Sequence, residues 1–222
     1  MNTKLSLLIL LSLLVACSRE IPTHPNSEGK NIEGKNFPVY VWPEGKKYYY
    51  VYDEKIYLDE VPNKIVLGFD EKYFSEIQQY LQENIRIRDI KFFRSYVVLT
   101  TVENTNLKIL MEDLKKLSRA KSVHPVYSLV DFDFFNEERY FTDMICVLFK
   151  DNVSQQQIDE IHKKYPVEIN KHLYSDFPKS QNLFVPIDAD LLGIANAYQE
   201  SGLVVFSYPF FGSNIIIIVN EP

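Results

Sequence analysis

Four histidines are the side chains of this sequence best suited to proton transfer or metal binding near neutral pH. They lie in different surroundings: His24 in a polar stretch, His124 before a proline, His162 beside two lysines and His172 after one. None of them is paired locally with a cysteine or a carboxylate at a metal-ligand spacing. We therefore expect each to be an ordinary surface or edge histidine, with no catalytic or metal-binding role.

The other reactive side chains form no recognisable catalytic pattern. Cys146 alternates with apolar neighbours, which is typical of a buried, inert thiol in a strand. The acidic pairs at 137–138 and 159–160 are adjacent in sequence, and solvated surfaces explain them without acid–base chemistry. The sequence contains no GxSxG, HExxH, Walker or GxGxxG motif. It predicts a protein that is not an enzyme and that needs no metal or other cofactor. An enzyme with dispersed catalytic residues is the remaining alternative.

Composition narrows the class of partner. Among 222 residues, 30 acidic side chains outnumber 24 basic ones and give a formal charge of -6. Nucleic-acid binding depends on clustered Lys and Arg that replace phosphate counterions, so nucleic acid is an unfavourable partner. The 15 Tyr and 15 Phe residues supply enough apolar area for a folded core. Two cysteines, Cys17 and Cys146, are too few for a disulfide scaffold.

The first 16 residues predict a lipoprotein signal peptide. The apolar run at residues 5–14 is too short to span a hydrocarbon core of roughly 30 Å, but it suits a secretory signal. The sequence Leu14-Val15-Ala16-Cys17 resembles a bacterial lipobox, which implies cleavage before Cys17 and lipid attachment to it. Because no aspartate follows Cys17, the same resemblance implies an outer-membrane location in the cell envelope. An N-terminal core helix that ends in cysteine is the alternative.

Residues 17–46 predict a flexible tether. This stretch is rich in Pro, Gly, Asn, Lys and Glu and contains few large apolar side chains. Such a composition cannot bury enough apolar area to fold by itself. Its expected role is to hold a globular body away from the lipid surface.

The next segment predicts a β-hairpin and then the order strand, helix, strand, strand, helix, strand. β-prone residues at 48–52 and 56–58 flank a polar turn at 53–55. The strands that follow are expected at 65–69, 85–93, 96–101 and 122–127. Two helices are expected from apolar positions at helical spacing. The first carries Phe74, Ile77 and Leu81. The second is capped by Asn104 or Thr105, and its apolar positions are Leu107, Leu110, Met111, Leu114 and Leu117.

The second half of the chain repeats this order with different residues. Strands are expected at 144–149, 167–169, 183–187 and 203–207. The first helix of this half has its apolar positions at Val153, Ile158, Ile161 and Tyr165. The second has them at Leu191, Ile194, Ala195 and Tyr198. The spacing from Phe69 to Pro125 is 56 residues, and that from Phe149 to Pro209 is 60. Matching order and spacing indicate an internal repeat.

The repeat predicts an α+β fold of two tandem ferredoxin-like (βαββαβ) units preceded by a β-hairpin. The expected boundaries are 47–130 for the first unit with its leading hairpin, 131–141 for a linker, and 142–222 for the second unit with a C-terminal tail. The linker mixes acidic and aromatic residues. It could be a docking strand, but simple packing between the two units is the favoured interpretation.

Two pieces of the second unit carry a family resemblance: ICVLFKDNVSQQQIDEIHKKYPVEI and NLFVPIDADLLGIANAYQESGLVVFSYPFF. Together they resemble the N-terminal prodomains of subtilisin-like serine proteases of the Bacteroidetes type, and the resemblance extends over residues 48–211. Such precursors continue into a protease domain carrying Asp, His and Ser, whereas this sequence ends at Pro222. A lipobox is also unusual for such a precursor.

The resemblance implies binding to a protease. Prodomains of this family dock their sheet on the protease and pass the segment after the last strand through the substrate cleft. On this interpretation Tyr208 and Pro209 fix the exit from the sheet, and the segment that enters the cleft consists of Phe210, Phe211, Gly212, Ser213 and Asn214. Main-chain hydrogen bonds would supply affinity and alternate side chains specificity.

Two alternatives remain open for this end of the chain. Phe210 and Phe211 could instead close the domain's own sheet, and the apolar run at 215–219 could add a strand to it. The sequence therefore predicts a lipid-anchored, non-catalytic, prodomain-like protein that binds, and inhibits or chaperones, a subtilisin-like serine protease in the cell envelope. The alternative is a structural interaction lipoprotein without a protease partner.

Overall fold

The structure is a computed structural model that describes residues 40–93, 95–130, 138–171 and 179–211. Within these residues the chain is a mixed α/β protein, mostly strand, with nine strands in two antiparallel sheets and four α-helices. The first sheet contains β1 (Lys47–Val51), β2 (Glu54–Phe69), β3 (Ile87–Phe92), β4 (Tyr96–Thr101) and β5 (Ala120–Leu129). The second contains β6 (Phe141–Phe149), β7 (Glu168–Ile169), β8 (Ser180–Phe184) and β9 (Val204–Phe211).

The helices are α1 (Phe74–Gln82), α2 (Leu107–Lys115), α3 (Gln155–Lys164) and α4 (Leu191–Glu200). The starts of α2, α3 and α4 follow from capping side chains, because the first N–H groups of a helix have no partner within it. At the start of α1, Tyr73 makes no such bond. Ser154 and Gln157 form a reciprocal capping box at α3, and Asp190 accepts a hydrogen bond from the Gly193 N–H at α4. The cap of α2 is Asn106, so the expectation of Asn104 or Thr105 was wrong.

The strand β2 is the central element of the first sheet. Residues 54–58 pair with β1, and residues 64–68 pair with β4 along the same edge of the strand. Its other edge pairs with β5 from Leu58 to Phe69, and β3 pairs with β4. The resulting order is β3-β4-β2-β5, with β1 beside the first part of β2.

The prediction of two tandem ferredoxin-like units preceded by a hairpin is wrong. The second hairpin strand and the first strand of the first unit are one continuous strand of 16 residues, so the first sheet has five strands. Residues 59–64 lie outside the strands expected at 56–58 and 65–69. Pro62 and Asn63 lie where the β2–β5 register shifts, and such a bulge tolerates a residue without an N–H. Tyr49 and Leu58 of the hairpin belong to the core of the second sheet, so the hairpin is shared between the two sheets.

Helix α4 explains why the hairpin is shared. A helix that packs on one sheet has an apolar stripe, whereas a helix buried on all sides has none. All residues of α4 from Leu191 to Asn196 are buried, and Tyr198 is fully buried. The second sheet covers one side of α4. The hairpin covers the other, and Asn196 Nδ2 donates to the backbone carbonyl of Tyr48 at 3.0 Å.

Three apolar clusters form the core. One lies between the first sheet and helices α1 and α2, with Leu67, Leu99, Ile77 and Leu114 among its fully enclosed members. A second, larger cluster joins the second sheet, α3, α4 and the hairpin. A third lies on the helix-free face of the first sheet, where Phe93 stacks on Tyr96 with ring centroids 4.5 Å apart.

The two sheets meet where β5 lies beside the start of β6. Tyr127 and Arg139 exchange backbone hydrogen bonds in an antiparallel bridge. The His124 imidazole forms a hydrogen bond to the Thr142 backbone three residues further along. The start of the second sheet therefore covers the edge of β5.

Candidate functional site

The predicted binding segment begins in the last strand of the second sheet. Tyr208 lies opposite Cys146, Pro209 opposite Ile145, and Phe211 opposite Phe141 of β6. Phe210 is buried, and all four predicted residues from 208 to 211 belong to β9. The other three predicted residues, Gly212, Ser213 and Asn214, lie outside the described residues. The strand is longer than the expected 203–207 and continues past Pro209.

Aromatic contacts hold the end of β9. The Phe211 ring lies 5.5 Å from the Tyr49 ring and 5.1 Å from the Phe141 ring, measured between centroids. The Arg139 guanidinium lies over the same ring at 5.7 Å, a cation–π geometry. Burial raises the pKa of the Tyr49 phenol, against an opposing effect of Arg139, so Tyr49 remains neutral at physiological pH. Phe211 is thereby fixed by residues of both sheets.

The outer edge of β9 is a poor template for another strand. Its inner edge pairs with β6, and within the described residues no strand pairs with its outer edge. The Ser207 N–H points outward, where it donates to Gln199 Oε1 at 2.8 Å. Pro209, two residues along on the same edge, has no N–H. The outer edge thus offers no free N–H donor at positions 207 and 209, and gaps of this kind hinder the addition of a further strand.

A cluster of tyrosines around Glu200 is a second feature of this end of the molecule, and sequence reasoning missed it. The phenol groups of Tyr40, Tyr48 and Tyr50 donate to Glu200 Oε1 at 2.6, 3.2 and 2.9 Å. Tyr40 and Tyr48 also share a hydrogen bond of 2.7 Å between their hydroxyl groups. Burial and the neighbouring carboxylate raise the pKa of Tyr40 and Tyr50, so both remain proton donors. Tyr48 and Tyr50 share one face of β1 because they are two residues apart in a strand, but this spacing does not identify Glu200.

The residues at 40–47 add a second set of contacts with α4. Trp42 Nε1 donates to Asp190 Oδ2 at 3.0 Å, and the Lys47 ammonium lies over the Trp42 ring at 4.0 Å. Lys47 also lies 3.9 Å from Asp190 Oδ2. Two residues of the predicted tether, Tyr40 and Trp42, therefore lie against the body, where their side chains contact the two ends of α4.

His162 is engaged in a defined hydrogen-bond network. Its Nε2 donates to Gln181 Oε1 at 2.8 Å, because a carbonyl oxygen only accepts. Its Nδ1 therefore accepts from the hydroxyl of Tyr198 at 2.7 Å, and Tyr198 is fully buried. Burial lowers the pKa of His162 below its ordinary value. The hydrogen bond to Gln181 acts in the opposite direction but does not outweigh burial. The spacing of His162 on its helix gave no sign of these two partners, which lie on α4 and β8.

Ionisable groups also meet at the junction of the sheets. Burial lowers the pKa of His124 to about 4, although its bond to the Thr142 backbone opposes this. Burial raises the pKa of Asp143 to about 6, while nearby Lys121 acts in the opposite direction. The Lys121 ammonium lies 3.6 Å from Asp70 Oδ2. His24 and His172 lie outside the described residues, as does Cys17.

The described residues contain no group of three or more His, Cys, Asp or Glu side chains placed to hold a metal ion. In the same part of the chain, no helix has the length and apolar composition needed to cross a bilayer. No protein-family model, curated protein or solved structure matches this chain.

Proposed function

We propose that this protein is a lipid-anchored, non-catalytic binding protein of the cell envelope whose C-terminal segment engages a subtilisin-like serine protease and inhibits or chaperones it. The lipid anchor rests on Cys17 and the residues before it, and the protease partner rests on the resemblance of residues 48–211 to prodomains. The absence of catalytic motifs from the sequence supports a binding role.

The observation that carries this proposal is the fixed end of β9. Phe211 is held by Tyr49, Phe141 and Arg139, so the residue immediately before Gly212 is fixed on the body. A segment held at one end loses less conformational entropy when it binds in an extended cleft. Inhibitory binding by a product-like peptide depends on such preorganisation.

The structure narrows which residues can enter a cleft. Phe210 is buried, and Phe211 packs against the core of the second sheet. This placement agrees with the alternative in which both residues close the protein's own sheet. Both side chains would have to leave β9 to occupy substrate subsites. The proposed inhibitory segment therefore begins at Gly212, and residues 208–211 anchor it.

The test compares chains of residues 18–222 and 18–211 as inhibitors of purified envelope subtilisin-like proteases. The shorter chain ends at Phe211 because removal of Phe210 and Phe211 would open the core. We expect competitive inhibition by the longer chain and a loss of at least tenfold in affinity for the shorter one. Equal inhibition constants would refute the role of the segment, and inhibition by neither chain would refute the protease partner.

A structural interaction lipoprotein without a protease partner is the second candidate. It is favoured by the placement of Phe210 and Phe211 in the body's own sheet, because these residues are not displayed to a partner. Stable binding of an envelope protein other than a protease, equally strong with both chains, would support it.

A further inference from the structure

The first sheet ends at the outer edge of β3. Among the described residues, β3 pairs only with β4, along its inner edge, and the register is regular from Ile90 to Phe92. The N–H of Phe93, the next residue, donates to the Tyr96 carbonyl on the β4 side at 2.9 Å. Successive residues of a strand direct their N–H and C=O groups to opposite edges, so the groups of Ile90 and Phe92 point outward. Within the part of the chain that the structure describes, no hydrogen bond reaches these outward groups.

The outer edges of the other described strands are less accessible to a further strand. The start of β6 covers β5, and β9 offers no free donor at positions 207 and 209. On β1, the Tyr48 carbonyl already accepts from Asn196. The edge strand β7 contains only two residues. Among the described strands, β3 therefore has the edge best suited to accept another strand.

The side chains of β3 divide into an apolar set and a charged set. Ile90 and Phe92 pack against the core between the first sheet and its helices. Asp89 and Lys91 alternate with these two residues, so they lie on the helix-free face, and both are exposed. Charges on an edge strand oppose the addition of an unmatched strand. A partner strand therefore needs a positive charge opposite Asp89 and a negative charge opposite Lys91.

A second copy of β3 meets this requirement. Two antiparallel copies can place Ile90 opposite Ile90 of the other copy, with hydrogen bonds between the outward groups of both residues. Each Asp89 then lies opposite Lys91 of the other copy, on the same face of the sheet. These are non-hydrogen-bonded positions, where opposing side chains are closest, and opposite charges there stabilise the pairing.

The second antiparallel register that uses the outward groups is unfavourable. It places Ile90 opposite Phe92 of the other copy, and Lys91 then lies directly opposite Lys91. Like charges at opposing positions destabilise a sheet. Glu138 lies near Lys91, but the Glu138 carboxylate is paired with Lys64 of its own chain. The charges of β3 therefore select the register that has Ile90 at its centre.

We infer that two copies of this protein pair through the outer edges of β3, antiparallel and with Ile90 opposite Ile90, so that their first sheets become one continuous sheet. The contact is isologous, because each copy contributes the same residues. It closes as a dimer, since the pairing occupies the β3 edge of both copies. This inference goes beyond the proposed function and does not depend on a protease partner.

Charge reversal followed by mixing tests the contact. Sedimentation equilibrium of residues 18–222 should show a reversible equilibrium between monomer and dimer. Asp89→Lys places a lysine opposite Lys91, and Lys91→Asp places an aspartate opposite Asp89, so each variant alone should dimerise at least tenfold more weakly. An equimolar mixture of the two variants should restore dimerisation, because every opposing pair then carries opposite charges.

The matched controls carry the same kind of reversal at exposed positions of α3, which packs on the second sheet. Glu160→Lys and Lys164→Asp, alone or mixed, should dimerise like the unaltered chain, and circular dichroism verifies that every variant is folded. A chain that stays monomeric at millimolar concentration would overturn the inference. A dimer that ignores the two β3 reversals, or that mixing does not restore, would also overturn it, because such a dimer uses another surface or register.

Amide hydrogen exchange at Ile90 and Phe92, measured by NMR, tests the edge without any substitution. Both amides should exchange rapidly in dilute solution and at least tenfold more slowly at concentrations where the dimer predominates. Slow exchange at every concentration would overturn the inference, because another segment of the same chain would then cover the edge. Fast exchange at every concentration would overturn it as well. Neither measurement involves protease inhibition, so either proposal can fail alone.

Discussion

Gly68 shows how one missing side chain allows two strands to approach. It lies in β2 opposite Ser122 of β5, and a Cβ added at Gly68 would be 2.3 Å from Ser122 Oγ and 3.5 Å from Ser122 Cβ. The first distance is impossible, while the second is an ordinary contact. The serine hydroxyl in its present rotamer, and not the backbone, therefore restricts this position to glycine.

This geometry predicts a rescue. Gly68→Ala should lower the free energy of unfolding by about 1–3 kcal/mol, the usual cost of overpacking. Adding Ser122→Ala removes the clashing oxygen and should restore most of the loss. Urea unfolding of the single and double variants measures the coupling between the two sites. Additive losses in the double variant would show that the hydroxyl is not the cause.

His162 determines a pH dependence through the bond that Tyr198 donates to it. Burial holds the pKa of His162 in the folded state below its ordinary value of 6.5. The stabilisation from the neutral ring is therefore complete above pH 6.5 and is lost as the pH falls through the folded-state pKa. Protonation also replaces the acceptor at Nδ1 with a donor, which opposes the Tyr198 hydroxyl.

In the wild-type protein the free energy of unfolding should fall as the pH is lowered from 6.5 to the folded-state pKa of His162. We expect a smaller slope in His162→Gln. A glutamine does not titrate, so the part of the slope that comes from His162 disappears. The measurement is denaturant unfolding at a series of pH values. His124→Gln is a comparison and not a control: because burial lowers the pKa of His124 to about 4, this variant should flatten the same pH range and continue to do so down to about pH 4. An unchanged slope in His162→Gln would contradict the assignment.

At the scale of elements, the packing of the hairpin on α4 joins two parts of the chain that are about 150 residues apart. Asn196 is fully buried on α4, and its Nδ2 donates to the backbone carbonyl of Tyr48 in β1. The carboxylate of Glu200, one turn further along, accepts from three phenol groups. Both contacts hold the hairpin in place.

Asn196→Ala should detach the hairpin from the helix. The change leaves a buried carbonyl without a donor and creates a small cavity, at a cost of about 2–3 kcal/mol. Amide hydrogen exchange should show faster exchange in β1 than in β6, since the hairpin lies outside the second sheet. Asn152→Ala, at an exposed turn, should change neither stability nor exchange. Equal acceleration of exchange in β1 and β6 would indicate global unfolding instead.

For the whole molecule, the junction between the sheets places charged groups where burial opposes ionisation. Burial raises the pKa of Asp143 from its ordinary 3.8 to about 6. The stabilisation that comes from the protonated Asp143 carboxyl is therefore fully present below pH 3.8 and is lost as the pH rises through 6. Near neutral pH the ionised carboxylate is a cost to the fold.

Asp143→Asn should accordingly stabilise the protein above pH 6. The pKa difference corresponds to a gain of up to about 3 kcal/mol at pH 7, which disappears as the pH falls to 3.8. Thermal unfolding at pH 7 and at pH 4 measures it. Asp159→Asn, on an exposed face of α3, should give no such difference. A stability loss at pH 7 would mean that the Asp143 charge contributes a favourable interaction that exceeds its burial cost.

The sequence by itself determined most of the local structure. Periodicity correctly placed the buried residues Ile77, Leu81, Ile158 and Ile161 on their helices, because apolar spacing depends only on neighbours along the chain. Two strands continue through prolines that lay outside the expected strand ranges. Pro62 and Pro209 both lie within strands, at a bulge and at an unpaired edge, where no N–H is required.

Tertiary structure alone decided how the repeated elements combine. The alternation of Tyr48 and Tyr50 could show that they share a face, but not that Glu200 and Asn196 would meet them. The same holds for His162, whose partners are 19 and 36 residues away. Hydrogen bonds and packing between distant segments depend on the relative placement of whole elements. Local spacing carries no information about that placement, so the prediction of two tandem ferredoxin-like units failed.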